Sequence, residues 1–200
     1  SLTEVVIGNS VNSIGESAFA NNNLTEVIIP DSVTIIGGDT FKDNSLTKAV
    51  IGNSVTSIGG SAFRNNQLTE VVIGDSVASI GDYAFVRNQL TEIFIPDSVT
   101  SIGDGAFNTN SLTEVVIPDF VTSIGRGAFY GNSLSEIVIP DSVRTIGDEA
   151  FDDNPLKIVS ISSDAVFDLS VLPKDVEIIV RVGSEPELEP IPGDLNGDGF

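Results

Sequence analysis

A step of 22 residues runs through this chain without a single insertion. Leucine stands at 2, 24, 46, 68, 90, 112, 134 and 156. Phenylalanine keeps the step at 19, 41, 63, 85, 107, 129 and 151, and asparagine keeps it at 22, 44, 66, 88, 110, 132 and 154. Ile-Gly pairs mark it at Ile14-Gly15, Ile36-Gly37, Ile58-Gly59, Ile80-Gly81, Ile102-Gly103, Ile124-Gly125 and Ile146-Gly147. A fixed period of this length is the signature of a stack of identical coils, each too small to bury its own apolar face. The chain is therefore a solenoid, and its organisation is quasi-one-dimensional.

The unit assigns its own local structure. Leu-x-x-Val-x-Ile reads as a short strand with Leu, Val and Ile turned inward. Pro30, Pro96, Pro118 and Pro140, or Gly8, Gly52 and Gly74, end it. Asp or Asn followed by Ser supplies turn chemistry, since these side chains bond nearby backbone groups. Val-x-x-Ile-Gly reads as a second short extended segment, with the glycine there for a positive φ or for close approach to the neighbouring coil. Ala-Phe is expected in a short helical turn that drives the ring into the core. The expected fold class is a β-rich solenoid whose strands pair in parallel, one coil to the next.

This unit resembles the leucine-rich repeats of the bacterial BspA-like class, and the resemblance covers residues 1–155. It implies a curved solenoid with a parallel sheet on its concave side, and surface roles in adhesion or protein binding. The class often carries cysteine where Asn22 and its six equivalents stand. Both residues can be buried with hydrogen-bonding contacts, so the same fold is implied.

Composition narrows function. Nine Lys and Arg against 29 Asp and Glu give a formal charge of −20. That balance argues strongly against a nucleic-acid or anionic-membrane partner, which needs a basic face. With no His and no Cys, Ser-His-Asp triads, thiol nucleophiles, Cys/His zinc sites and disulfide scaffolds are excluded as well. No apolar run approaches a membrane span, and no signal peptide opens the chain. It opens mid-pattern at Ser1-Leu2-Thr3-Glu4 and reads as a mature or trimmed fragment. Paired carboxylates can hydrolyse glycosides, but catalytic solenoids carry their chemistry on loops that break the period. Here the period is intact, so the chain reads as non-catalytic.

Three columns alternate out of the core on the Leu-strands. The first is Thr3, Thr25, Thr47, Thr69, Thr91, Thr113 and Ser135. The second is Glu4, Glu26, Glu70, Glu92, Glu114 and Glu136, interrupted by Lys48. The third is Val6, Ile28, Val50, Val72, Phe94, Val116 and Val138. A continuous exposed apolar ribbon is a candidate binding surface for a protein or cell-wall partner; the same β-branched residues also suit a pleated sheet. Aromatic residues would favour a carbohydrate ligand, and of these only Phe94 lies in the ribbon. The glutamates sit uncomfortably in a parallel sheet, since like charges about 5 Å apart repel by about 0.8 kcal/mol in water. Such a column either attracts Ca²⁺ or a basic partner, or serves as a solvated edge that guards against aggregation. The asparagines read as structural, satisfying backbone groups at the turn of each coil.

After Leu156 the pattern decays. Val166, Phe167, Leu169, Val171 and Leu172 are expected to cap the last coil up to Pro173, and residues 176–182 to form a final strand, so that the cap spans 156–182. Residues 183–192 have the proline and glutamate content of an extended linker. Residues 193–200 close the chain as Gly-Asp-Leu-Asn-Gly-Asp-Gly-Phe. Asp194, Asn196 and Asp198 occupy positions 1, 3 and 5 of an EF-hand-type calcium loop. The ligand at position 12 does not follow within the chain, so a weak metal site is expected here. After a Pro-rich linker this segment resembles the start of a type I dockerin. That resemblance implies an extracellular parent protein held on a cellulosomal scaffoldin, with Ca²⁺ and a cohesin as partners of the complete module.

Overall fold

The computed structural model describes residues 1–181; the expected linker and the calcium-loop start lie outside the described residues. Each 22-residue unit makes one coil, counted here from coil 1 at Leu2 to coil 8 at Leu156. The Ile-strands, two residues each from Ser13–Ile14 to Thr145–Ile146, join in one seven-stranded sheet. All its registers are parallel and offset by one unit, as in Ser57 opposite Ser79 and Ile58 opposite Ile80. The second extended segment of the sequence reading is thus the most continuous element of the molecule.

The Leu-strands form two separate sheets. Glu26–Ile29, Lys48–Ile51 and Glu70–Val72 make the first, and Glu136–Val138, Ile158–Ser162 and Glu177–Arg181 make the second. In the repeat units the Leu, Val and Ile positions of the motif, such as Leu24, Val27 and Ile29, point inward, and the residues between them point outward; Glu177–Arg181 is exposed along its length.

The Ala-Phe segment corrects one expectation: it is not a helical turn. Two residues per coil sit in the left-handed region, Ser61 (φ 56°) and Asn65 (φ 53°) in coil 3, for instance. Each breaks a right-handed helical run, because helix propagation needs consecutive residues with negative φ. Backbone N–H groups then point along the solenoid axis instead of back along the chain. Phe41 donates to the Ala62 carbonyl at 2.8 Å and Phe63 to that of Ala84 at 2.8 Å. The third side of coils 1 to 7 is zipped from one to the next as well.

Stacking fills the interior. Seven phenylalanines, Phe19 to Phe151, lie face over face with ring centroids 5.2–5.6 Å apart and planes within 16° of parallel. The Ile-Gly glycine serves close approach, not positive φ. A Cβ on Gly59 would come within 2.4 Å of the Gly37 carbonyl carbon, so a side chain there would push two coils apart.

At the C-terminal end, Phe167 and Leu172 are buried against the last coil while Val166 and Leu169 stay exposed. A single turn of 3-10 helix, Leu169–Val171, is capped by Asp168, whose carboxylate accepts the Ser170 N–H at 2.8 Å. That bond holds the Asp168 carboxyl below its usual range. Glu177–Arg181 then pairs in parallel with Ile158–Ser162.

Candidate functional face

The asparagine column is part of the scaffold. Asn66 Nδ2 donates to the carbonyls of Phe63 and Phe41, both at 3.0 Å, and its Oδ1 accepts the Leu46 N–H at 3.0 Å. One amide therefore fastens the end of a coil to its own beginning and to the coil below. Asn88 and Asn132 repeat the arrangement. Three buried backbone groups per coil find partners this way, which buried polar groups require.

The outward ribbon is exposed along most of its length: Val6, Ile28, Val72, Phe94, Val116 and Val138 all face solvent. Val50 departs from the expectation and is half-buried, because its strand is paired on both sides. Glu70, Glu92, Glu114 and Glu136 are exposed beside the ribbon. The metal candidates Asp194, Asn196 and Asp198 lie outside the described residues, and among the described residues no group of three acidic side chains is placed to hold a metal ion.

The break between the two Leu-strand sheets follows the charge column. Register places Glu26 opposite Lys48, Lys48 opposite Glu70, Glu136 opposite Ile158 and Ile158 opposite Glu177, and all four of these pairs carry a ladder. The remaining neighbours in the column are Glu4 with Glu26, Glu70 with Glu92, Glu92 with Glu114, and Glu114 with Glu136. No ladder forms at any of these among the described residues. Residues 92–95 and 114–117 make no backbone hydrogen bond to either neighbouring strand. The strand face opens wherever glutamate would stand opposite glutamate.

Lys48 shows what closes it. Its Nζ lies 2.8 Å from Glu70 Oε1. The hydrogen bond and charge of Glu70 hold the ammonium above the ordinary lysine range, outweighing the opposing effect of desolvation.

Where coils 4 to 6 open, a cleft of about 560 Å³ lies on the face, lined by Glu92, Phe94, Glu114, Val116 and Pro118 among others. Phe94 is 72% exposed and Val116 71%. Phe120, four residues beyond Val116, is also exposed. It was not among the candidates read from the sequence, although its signal was there: it replaces the serine of the Asp-Ser-Val turn found in other coils. A second shallow groove follows Gly81, Gly103, Gly125 and Gly147 on the Ile-strand side. Two of its carboxylates already serve the scaffold, Asp82 accepting the Asp104 N–H at 2.9 Å and Asp104 the Arg126 N–H at 2.7 Å.

Parallel coils, a buried leucine column and an asparagine clasp at every turn define a leucine-rich repeat solenoid. The sequence matches the BspA type leucine rich repeat region, in six copies over residues 1–111 and 101–169, and the chain belongs to that family. Among solved structures it is similar to a leucine-rich repeat protein from Eubacterium ventriosum, at 32% identity and a TM-score of 0.55, over 60% of this chain and 32% of the other. A leucine-rich repeat protein from Bacteroides ovatus aligns at 25% identity and a TM-score of 0.52, over 88% and 56%. The pneumococcal vaccine antigen PcpA shares the fold, at 19% identity and a TM-score of 0.59, over 87% and 55%. The chain thus spans between about a third and just over half of these proteins. No curated protein matches it. Among the described residues, no helix is long and apolar enough to cross a membrane.

Proposed function

We propose that this chain is a non-catalytic, extracellular protein-binding module that contacts its partner through the outward face of the Leu-strands. The observation that carries the reading is the run of exposed apolar side chains along one face of the stacked coils, which includes Phe94 and Val116 in the cleft of coils 4 to 6. Membership of the BspA type leucine rich repeat family supports it. Capture of surface proteins by the immobilised chain, compared with capture by a variant carrying Val72→Ser, Phe94→Ser and Val116→Ser, tests it. The wild type retains a partner that the triple variant loses. Strong binding on a glycan array with no protein captured by either would replace this reading with a carbohydrate-binding solenoid.

The Asp194, Asn196 and Asp198 motif after a Pro-rich linker supports a second element: attachment of the parent protein to a cellulosomal scaffold through a calcium-loaded dockerin and a cohesin. Cohesin capture by a chain carrying the complete module, and its loss on calcium chelation, tests that attachment.

A further inference from the structure

We infer that the opened face of coils 4 to 6 is a docking cleft for an extended peptide segment of a protein partner, one that alternates basic and apolar side chains in the order Lys/Arg-x-apolar. The inference rests on the protein-binding reading above and names the chemistry of the partner. Three features of the cleft converge on it.

The first is charge. Glu70, Glu92, Glu114 and Glu136 follow one another with no basic residue in the column, and no ion pair among the described residues engages Glu92, Glu114 or Glu136. The molecule itself shows which group fits between glutamates at this spacing, because Lys48 stands between Glu26 and Glu70 and the ladder closes around it. A lysine presented by a partner would repeat that contact in trans. The carboxylates are strung along the face and do not converge as a metal cage would require, so the matching cation is a row of side chains.

The second is apolar surface. Phe94 stands two residues beyond Glu92 and Val116 two beyond Glu114, on the same face of the strand. Residues two apart in an extended chain are about 6.6 Å from one another and point the same way. A partner strand lying along coil 5 or 6 therefore offers a basic group to the glutamate and an apolar group to Phe94 or Val116 in a single Lys-x-apolar step. The third is the backbone: residues 92–95 and 114–117 keep N–H and C=O groups free of protein partners, so an extended peptide finds main-chain hydrogen bonds there too.

Titration calorimetry with the full chain and capped synthetic peptides tests this. The probe is Lys-Ser-Leu-Ser-Lys-Ser-Leu; its controls replace Lys by Glu, or Leu by Ser. The lysine-leucine peptide is expected to bind, with affinity falling as salt rises, and each control to bind at least tenfold more weakly. Glu92→Gln with Glu114→Gln, and separately Phe94→Ser, are expected to weaken it at least tenfold. Glu16→Gln with Asp164→Asn removes the same charge away from this face and is expected to stay within twofold of wild type. These are exposed positions, and circular dichroism checks that each variant is folded. Equal weakening by both double variants would reduce the effect to net-charge attraction and overturn the inference. So would no binding of the lysine-leucine peptide. If surface-protein capture still depends on Phe94 in that case, the docking face stands and only the assigned partner chemistry fails; if capture is lost as well, both readings fail.

Discussion

Replacing Glu92 with lysine gives coils 4 to 6 the charge order Glu-Lys-Glu that coils 2 to 4 already have. Adjacent strands in a closed sheet lie about 4.8 Å apart. At that distance a like-charge pair costs about 0.9 kcal/mol in water, and about half as much with a Debye length near 8 Å. The substitution turns two such repulsions, with Glu70 and with Glu114, into attractions. Because these side chains are exposed, about 0.2–1 kcal/mol per pair is the applicable scale, and ladder bonds formed on closure add about 1 kcal/mol each before the competition from water at an exposed face is discounted. A total gain of about 1–3 kcal/mol follows, read as a raised urea midpoint. Amide exchange gives the sharper test. Phe94 and Val116 should become protected in Glu92→Lys, partly protected in Glu92→Gln, and unprotected in the wild type at low salt. The salt dependences should also be opposite in sign: added salt screens repulsion and favours closure in the wild type, whereas it weakens the new ion pairs in the lysine variant. Exchange at Phe94 and Val116 as fast in Glu92→Lys as in the wild type would show that something other than glutamate repulsion holds the face open.

Two predictions concern the scaffold. Asn66→Ala leaves the Leu46 N–H without its partner, while the Phe41 and Phe63 carbonyls keep the amides of Asn44 and Asn88; at about 1–3 kcal/mol for an orphaned buried group a loss of that size is expected in chemical denaturation, and no measurable loss would show that water replaces the amide. Phe85→Ala removes a ring stacked on both faces and should cost about 3–5 kcal/mol; Phe19→Ala, half-buried and stacked against Phe41, should cost less, and equal losses would contradict the nearest-neighbour picture of the array.

The scaffold was legible because it is periodic. Leucine, phenylalanine and asparagine at a constant step settled the coil, its parallel pairing and the inward faces before any coordinate. The Ala-Phe turn was not legible, because periodicity reports which side chains are buried and is silent on the sign of φ. Its signal lay in residues such as Asn21, Asp43, Asn65 and Gly131, which tolerate left-handed backbone. Of the candidate face, the columns and their exposure followed from alternation. The strain in the glutamate column was also visible, but its outcome was not. Whether a repulsion of under 1 kcal/mol per pair bends, separates or merely loosens strands depends on how strongly the other sides of the coil are zipped. Here the Ile-strand sheet and the phenylalanine turn hold each coil in place, leaving the Leu-strand side free to part.

Because Lys48 closes the face locally and the buried leucine and phenylalanine columns run through the repeat coils alike, where the face opens is set by a single outward residue per repeat. Removing residues 46–67 would leave the buried leucine, phenylalanine and asparagine columns in step and bring Glu26 next to Glu70, turning a closed stretch of the face into an open one. An inserted unit bearing lysine would do the reverse. Such a protein can change the length and position of its contact surface by gaining, losing or recoding whole units, at the rate at which tandem sequence recombines, while the buried leucine and phenylalanine columns stay in step.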